Sequence, residues 1–574
     1  MRGERGTATI TRTERLSRVE WGALIVGLLL CGALYVGCID REAAGFWHDD
    51  GVYAITGRAL AAGEGPQLPH RPTLDAHAEP AWQVRYPIGY PLLLAAGFSV
   101  SPAFPDNLLF LQSITVAFAL AAVGAFYVYL RRVRGARWWI AALSVLLTAS
   151  SVQFVVYSTM LMSELPYLLV TIGVLALVES RREGAGWGRL ALATGLTVVA
   201  FHLRTFGLLL AVAVFTDLVL RRQRAAALTY AAGFAAFAVA PWWWWTRTHS
   251  PPVVDDVDLA YAQPYGDYAS DFVSRWLATL PTLGERLAHD LDATVHHLLQ
   301  TLLPGFLALP GTAIVAYLLA AGVAILGVKE LRREGRASAL YVGASIVTIV
   351  LWNYESSAPR FLVVLLPWLW FAIVRAIPLE WIASRSGPTR VAALAGAGLI
   401  AIVVAWPTVD ENRFVREVRA RHATPEFASV PGWWSDHLDA FRYLRSSVPA
   451  DAVVAARQDV VFHLYTDRPT FYLSYDALPN VEPSTSDGAR RPDPYALLLA
   501  ALDRYGVDTV VVEPEGLNPD GSIRFNQVAM ALLHHHPERF RIRYSTPAGL
   551  LHVYDFLRDG RDPRAAVAAP ASGR

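Results

Sequence analysis

The segment FWHDDGVYAITGRALAAGEG at residues 46–65, followed by RYPIGYP at residues 85–91, decides the fold. It comes directly after the first long apolar run and contains two adjacent carboxylates, Asp49 and Asp50. The apolar residues that follow recur at a helical spacing and predict an amphipathic helix. A carboxylate at the edge of the hydrocarbon is costly unless it keeps water, a cation or a partner. We therefore interpret this segment as the catalytic loop of a membrane enzyme, presented by the rest of the chain.

The composition indicates a polytopic membrane protein. The chain has 574 residues, of which 54% are hydrophobic and 17% charged, and its mean hydropathy is +0.33; these values are typical of several membrane spans. The net charge of +1 is uninformative about nucleic acid, but the sequence has no basic run of the kind that binds it, so we expect no nucleic-acid partner. Cys31 and Cys38 lie too far apart along one apolar segment to bridge, so we expect free thiols.

Hydropathy predicts about eleven membrane-spanning helices. The predicted spans lie at 20–39, 106–130, 138–156, 163–179, 187–203, 205–220, 226–246, 304–328, 338–354, 360–377 and 390–407. Residues 87–100 form a shorter apolar run, which predicts a helix lying at the membrane interface. Segment 1–18 is predicted to be cytoplasmic, and its Arg residues before the first apolar run indicate a signal anchor that is retained.

The distribution of basic residues supports this order of spans. Cytoplasmic loops of membrane proteins are enriched in Arg and Lys. Alternate loops of the predicted map hold such residues, namely Arg131, Arg132, Arg134, Arg137, Arg181, Arg182, Arg189, Arg221, Arg222, Arg224, Lys329, Arg332, Arg333, Arg336, Arg385 and Arg390. We therefore expect a multi-pass protein of the cell (inner) membrane with a cytoplasmic N-terminus, and an odd number of spans places the C-terminal domain outside.

The opposite loops carry the unusual polar residues. Glu164 is the first residue of a predicted helix. It either belongs to a functional site or lies there because the positive N-terminal end of the helix stabilises a negative charge. Arg204 lies within apolar sequence on the outer side; it either snorkels to the interface or binds a phosphate with its planar guanidinium. Arg360 lies at the start of a predicted helix on the outer side, where a cation needs a partner of opposite charge. That partner is either a phosphate or a carboxylate, with Glu355 as the structural candidate. His202 is predicted to pack, or to support Arg204.

Two further regions complete the predicted organisation. The outer loop 248–303 is acidic, and its DDVD cluster at 255–258 resembles a metal site only weakly; solvated acids are the alternative. The region 430–557 alternates strand and helix patterns and predicts a small extracytoplasmic α/β domain. It contains no Gly-rich dinucleotide motif and no nucleophile elbow. Residues 558–574 are rich in Ala, Pro and Gly and predict a disordered tail.

The order of these motifs resembles the GT-C glycosyltransferases, in particular the branch with the protein mannosyltransferases and the lipid A aminoarabinose transferases. The resemblance rests on DDGVYAITGRAL at 49–60, RYPIGYPLLLA at 85–95, SELPY at 163–167, FHLRTFG at 201–207, PWWWW at 241–245 and APRFLVVLLP at 358–367. It implies a GT-C-like membrane domain at 19–409, with the catalytic first outer loop at 40–105.

The resemblance implies transfer of a sugar from a polyprenyl-phosphate donor to an acceptor on the extracytoplasmic face. Asp49 matches the first acid of the family's pair and is implied to be the base or the acceptor-orienting carboxylate. The resemblance also implies that Asp50 holds the loop, an acceptor or a cation, and that Glu164 is a supporting carboxylate. Arg204 and Arg360 are implied to neutralise the leaving lipid phosphate.

Arg85 and Tyr86 stand where the family has a basic–aromatic pair near the phosphate. Tyr53 and His202 complete the candidate substrate-binding residues. The lipid A branch has an acid just before its basic residue, and Val84 stands there instead. The acceptor is left open between a protein, a glycan and a lipid. No cofactor is required by the motifs, and a divalent cation is neither assigned nor excluded.

A lipid-linked-glycan transporter or flippase without transferase activity is the alternative function. Such a protein would also keep acids and Arg near one face. However, it would be expected to carry ionisable residues at mid-membrane on broken helices and to show internal repeats. Neither feature is evident in the sequence.

Overall fold

The computed structural model describes the greater part of the chain, and all structural statements below refer to that part. The described residues are 16–69, 71, 81–180, 186–250, 265–266, 282–302, 336–352, 358–376, 407–423, 427, 429–473, 494–518 and 522–558. Several predictions fall outside them: the span at 304–328, nearly all of that at 390–407, the DDVD cluster and the tail after residue 558.

Most helices of the membrane domain follow the predicted apolar runs, whereas the helix Leu283–Leu302 lies within the predicted outer loop 248–303. The helices are α1 (Arg18–Gly37), α2 (Asp49–Ala61), α3 (Gly89–Val100), α4 (Leu108–Arg132), α5 (Trp138–Ser150), α6 (Val152–Ser158), α7 (Glu164–Glu179), α8 (Trp187–Leu203), α9 (Gly207–Leu220), α10 (Arg224–Phe234), α11 (Ala240–His249), α12 (Leu283–Leu302), α13 (Arg336–Leu351), α14 (Ala358–Val363) and α15 (Leu366–Ala376). A further helical segment covers 407–420.

Three of these units are long and apolar enough to cross a membrane unaided: α1, α4 and the continuous stretch Arg224–His249. That stretch joins α10 to α11 through the π-helical residues Ala235–Val239. The helices α5 and α6 pass the same test together, although they are bent by 65°. The remaining apolar helices in the described residues are shorter, so the predicted number of eleven spans stays a prediction.

The two helices of the first outer loop, α2 and α3, pack against each other at a glycine. A Cβ atom on Gly57 would lie 2.9 Å from Leu94 Cβ and 3.2 Å from the carbonyl oxygen of Pro91. The same close approach recurs where α3 meets α8, since a Cβ on Gly89 would lie 2.6 Å from the carbonyl oxygen of His202. Because both glycines remove a side chain at the contact, the loop helices sit tightly on the membrane domain.

A buried polar cluster connects several helices at the C-terminal end of α7, opposite to the end that carries Glu164. Glu179 accepts hydrogen bonds from the Tyr129 hydroxyl at 2.6 Å and the backbone N–H of Ser338 at 2.7 Å. Its other partner is Arg134, at 3.2 Å. The two acids of α7 are the first and the last of its 16 residues, so they lie about 22 Å apart at 1.5 Å per residue. The charged side chains of α7 therefore lie at its two ends.

The C-terminal region folds as an α/β unit, as its alternating pattern predicts. Its five-stranded sheet has the order β2–β1–β3–β7–β6, with β1 parallel to β2 and β3, and β7 antiparallel to β3 and β6. The strands are β1 (Val453–Ala456), β2 (Thr470–Tyr472), β3 (Val507–Val512), β6 (Phe540–Ser545) and β7 (His552–Phe556), and β4 (Pro514–Leu517) pairs separately with β5 (Ile523–Phe525). The helices are α16 (Trp433–Ser447), α17 (Asp459–Thr466), α18 (Pro494–Arg504) and α19 (Gln527–His535).

Helix α17 of this unit lies directly on α2. A Cβ on Gly51 would come within 2.7 Å of Val460 Cγ2, so α2 and α17 are in close contact. At the other end of α2, Arg58 Nη1 pairs with Asp467 Oδ1 at 2.9 Å. The C-terminal unit thus packs against the helix that begins with the paired acids.

Candidate active site

Asp49 is the first residue of α2, and both of its carboxylate oxygens are engaged. Oδ1 accepts a hydrogen bond from the Tyr86 hydroxyl at 2.5 Å. Oδ2 lies 2.6 Å from Nη1 of Arg360, which belongs to α14. The side chain is 11% exposed, so these contacts are largely shielded from solvent. Residues far apart in sequence therefore meet at the start of α2.

Glu164, the first residue of α7, joins a second guanidinium to this pair. Its Oε1 atom lies 3.0 Å from Arg360 Nε and 2.6 Å from Arg204 Nη1. The Glu164 side chain is fully buried. Asp49, Arg360, Glu164 and Arg204 thus form one continuous series, which we call the ion-pair chain.

The ion-pair chain is electrically balanced, with two carboxylates and two guanidiniums. Such balance is needed because a buried charge without a partner costs several kcal/mol. Burial raises the pKa of Asp49, but the charge of Arg360 and the hydrogen bond from the Tyr86 hydroxyl lower it, and it lies well below its usual range. Asp49 is therefore a stabilised anion rather than a group ready to take a proton.

Each member of the chain stands at or near a helix end. Asp49 and Glu164 occupy helix N-termini, where the dipole favours a negative charge. Arg204 follows the last residue of α8 with an extended backbone, and its guanidinium lies 5.1 Å above the ring of Phe361. Because these helix ends converge, the sequence can bring four charges together without burying any of them in mid-helix.

Aromatic side chains form the wall beside Asp49. The ring of Tyr53 packs edge-on against Tyr86 and Tyr90, with 5.2 Å between centroids in each case. Its hydroxyl lies 3.4 Å from Ser163 Oγ, next to Glu164. Tyr53 therefore lines the candidate site without carrying charge.

Three predicted site residues make other contacts. Asp50 accepts the backbone N–H groups of Gly45 at 2.8 Å and Trp47 at 3.1 Å, so its carboxylate holds the loop before α2. Arg85 Nη1 donates to the carbonyl of Gly266 at 3.4 Å. His202 Nε2 lies 3.1 Å from the backbone carbonyl of Phe237, a contact between helices. The structure brings none of these three side chains into the ion-pair chain.

No cluster of three or more His, Cys, Asp or Glu side chains suited to a metal ion occurs among the residues described above. The two acids of the ion-pair chain are already neutralised by guanidiniums. The DDVD cluster at 255–258 lies outside the described residues.

Comparisons with known proteins bear on the fold. No family model and no curated protein matches the sequence. Among solved structures, the chain is similar to ArnT from Cupriavidus metallidurans bound to undecaprenyl phosphate, with a TM-score of 0.52, 13% identity, and coverage of 94% of this chain and 99% of that one. It is also similar to the oligosaccharyltransferase AglB from Archaeoglobus fulgidus in complex with an inhibitory peptide and a dolichol-phosphate, with a TM-score of 0.54, 11% identity, and coverage of 92% and 80%.

The chain has the GT-C fold. The fold implied by the motif resemblance is thereby confirmed, although identities of 11–13% say nothing about substrates.

Within this GT-C fold, two residues near Asp49 were not predicted from the sequence. His48 Nδ1 lies 4.0 Å from Asp49 Oδ1, and His48 Nε2 lies 4.0 Å from Asp459 Oδ1. His48 stands directly before the paired acids, so its position in the quoted segment could have drawn attention to it. Asp459 belongs to α17 of the C-terminal unit, and nothing in the sequence connects it to the first outer loop.

Proposed function

We propose that the protein is an integral-membrane glycosyltransferase that moves a sugar from a polyprenyl-phosphate donor to an acceptor on the extracytoplasmic face. The observation that carries this proposal is the ion-pair chain. It places two guanidiniums, suited to a phosphate, beside two carboxylates, suited to an acceptor hydroxyl.

The guanidiniums are suited to the leaving group because its charge grows during the reaction. A sugar phosphodiester carries one negative charge, whereas the released lipid phosphate carries up to two. Donors that are positioned where charge develops stabilise the transition state more than the ground state. Arg360 and Arg204 would therefore exchange part of their pairing with Asp49 and Glu164 for the departing phosphate.

Such an exchange would couple departure of the lipid phosphate to orientation of the acceptor hydroxyl. When Arg360 turns toward the phosphate, Asp49 loses its partner at 2.6 Å and gains free lone pairs. A carboxylate in that state can accept a hydrogen bond from an acceptor hydroxyl and orient its oxygen toward the sugar. Asp49 thus serves as the acceptor-orienting carboxylate, and Glu164 keeps both guanidiniums in place.

The location of the site supports the same function. Under the positive-inside pattern, the ends of α2, α7, α8 and α14 that carry the ion-pair chain face away from the Arg-rich loops. The two solved relatives contained undecaprenyl phosphate and dolichol-phosphate, respectively. We therefore propose a polyprenyl phosphate as the lipid of the donor, with the C-terminal unit on the extracytoplasmic side. The acceptor is a protein, a glycan or a lipid.

The direct test is a transfer assay with the purified, reconstituted protein. A panel of radiolabelled polyprenyl-phosphate sugars is offered with protein, glycan and lipid fractions of the cell envelope, with and without a chelator. We expect label from one donor to enter one acceptor fraction through a new glycosidic bond. Arg360→Gln should abolish this transfer and weaken binding of the polyprenyl phosphate alone.

Arg413→Gln serves as the matched control, because Arg413 is 75% exposed and contacts only Glu417 among the described ion pairs. It should leave both transfer and lipid binding unchanged. Movement of the labelled lipid between leaflets without a new glycosidic bond would instead indicate a transporter. That outcome would overturn the proposal.

A further inference from the structure

We propose that His48, supported by Asp459 of the C-terminal unit, takes the proton from the acceptor hydroxyl, so that Asp459 is a positioning residue of the active site. This inference rests on the proposed glycosyl transfer and adds the group that removes the proton.

The imidazole of His48 is held between two carboxylates. Its Nδ1 atom lies 4.0 Å from Asp49 Oδ1 and its Nε2 atom lies 4.0 Å from Asp459 Oδ1. The ring also packs between Tyr265 and Tyr472, with 5.4 Å between centroids in both pairs. The side chain is 26% exposed, so the imidazole is oriented by the protein yet accessible.

The backbone conformation of His48 is unusual, and it sets the direction of the imidazole ring. His48 has φ of +62°, in the left-handed region that residues other than glycine seldom adopt. Such conformations persist only where the surrounding structure enforces them, and they concentrate at functional sites. Here the turn places the imidazole at the N-terminus of α2, directly before Asp49.

His48 Nε2 is buried and has no hydrogen-bond partner among the described residues. Buried polar atoms are nearly always paired, so an unused ring nitrogen needs an explanation. The carboxylate of Asp459 faces it, and this carboxylate is itself oriented by the hydroxyl of Tyr265, which donates to Oδ2. An approach of about 1 Å would complete an N–H···O bond, and catalytic hydrogen bonds are often long before substrate binds.

The position of Asp459 depends on how the C-terminal unit docks. Asp459 is the first residue of α17, and α17 contacts α2 where Val460 meets Gly51. The site is therefore complete only when the C-terminal unit lies on the first outer loop. This gives the C-terminal unit a part in the chemistry.

Asp49 is poorly suited to be the proton acceptor itself. Its negative charge is stabilised by Arg360 at 2.6 Å and by the Tyr86 hydroxyl at 2.5 Å. A carboxylate stabilised in this way is a weak base, and histidine is the side chain that most often acts as a general base. Because His48 Nδ1 and Asp49 Oδ1 are 4.0 Å apart, an acceptor hydroxyl that lies between them is within reach of both, and its single proton, first directed at Asp49, can pass to His48 Nδ1.

The step balances as follows. The acceptor hydroxyl gives its proton to His48 Nδ1 while its oxygen forms a bond to the anomeric carbon. The bond between that carbon and the phosphate oxygen breaks, and its electron pair leaves with the lipid phosphate toward Arg360 and Arg204. Asp459 accepts the Nε2–H of the resulting imidazolium, which later releases its proton to solvent.

The test compares His48→Gln and Asp459→Asn with wild type by the pH dependence of transfer. The charged and titratable groups that face His48 are Asp49, Asp459, Tyr265 and Tyr472, with Arg71 stacked over Tyr265 at 4.5 Å. We expect wild-type kcat to fall at acid pH as the imidazole becomes protonated. His48→Gln should lower kcat by about 10²–10³-fold and remove this acid limb while leaving KM for the donor unchanged.

Asp459→Asn should lower kcat about tenfold and move the acid limb to lower pH, because the imidazolium loses a negative neighbour. The matched control is Asp467→Asn, which removes another contact between α17 and α2: Asp467 is 65% exposed and pairs with Arg58 at 2.9 Å. Asp467 has φ of +54°, which asparagine tolerates. This control should keep the wild-type rate and acid limb.

A variant that keeps the fold provides an independent readout. Glycine adopts the left-handed backbone of residue 48 without strain, so His48→Gly should be inactive yet folded, and added imidazole should restore transfer. An unchanged acid limb in His48→Gln, together with no rescue of His48→Gly, would overturn the assignment while wild-type transfer still upheld the proposed function. A wild-type protein that transfers no sugar would refute the proposed function itself.

Discussion

Replacing Glu164 by glutamine removes one negative charge from the middle of the ion-pair chain. The Glu164 side chain is fully buried, and its Oε1 atom contacts both Arg360 at 3.0 Å and Arg204 at 2.6 Å. The variant therefore leaves two guanidiniums with only Asp49 to balance them. Removal of one partner of a buried ion pair costs roughly 3–5 kcal/mol. Because glutamine keeps a carbonyl oxygen as acceptor, we expect the lower value, about 3 kcal/mol.

This free energy translates into a measurable shift in melting temperature. At about 2 cal/mol/K per residue, a chain of 574 residues has an unfolding entropy of about 1.2 kcal/mol/K. A loss of about 3 kcal/mol should then lower Tm by about 2–3 °C. The assay is a thermal melt of the protein in detergent, with Glu417→Gln as the control, since among the described ion pairs Glu417 forms only an exposed one with Arg413.

A second substitution makes the test specific to charge. Arg204→Gln in the Glu164→Gln background leaves Arg360 and Asp49 as a balanced pair. The double variant should therefore melt at or above the temperature of Glu164→Gln alone. Two outcomes would show that the four residues do not form one balanced network. One is a Tm of Glu164→Gln equal to that of the Glu417→Gln control. The other is a double variant in which the Tm losses of Glu164→Gln and Arg204→Gln simply add.

Three further outcomes are expected. Tyr86→Phe removes the 2.5 Å hydrogen bond to Asp49 and should lower kcat/KM for transfer about tenfold; an unchanged value would show that this bond is not used. Burial raises the pKa of Glu513 to about 7, so the folded carboxyl binds a proton that the unfolded chain has lost. Wild-type stability should fall as pH rises from about 4.5 to about 7, and melts of Glu513→Gln should lack this slope. Gly89→Ala should lower Tm clearly, because the new Cβ would lie 2.6 Å from the His202 carbonyl oxygen; a normal melt would mean that α3 can shift.

Patterns that depend on the membrane could be predicted from the sequence. Apolar runs located the helices to within a few residues, as for α4 at Leu108–Arg132 against the predicted 106–130. The asymmetry of basic residues assigned Asp49, Glu164, Arg204 and Arg360 to one side, and the structure places these four side chains in contact. An ionised side chain in a largely apolar membrane protein needs a partner of opposite charge, so the few charged residues on one side of the membrane tend to contact one another.

Directions of individual side chains could not be predicted in this way. Asp50 follows Asp49 immediately, but it faces the backbone of the preceding loop, and a one-residue step on a helix turns a side chain by about 100°. His202 is near Arg204 in sequence, yet its ring packs toward Phe237. The contribution of Asp459 depends on docking of a separate unit, which no local pattern encodes.

The central claim is that an acid and two guanidiniums at one extracytoplasmic site act on a lipid-linked phosphosugar. The most direct measurement is the transfer rate of Asp49→Asn, with the donor identified by the panel, alongside its affinity for polyprenyl phosphate. We predict a fall in kcat of about 10³-fold or more, because asparagine neither balances Arg360 nor orients the acceptor, with lipid binding retained. A variant that transfers sugar at nearly the wild-type rate would contradict the account.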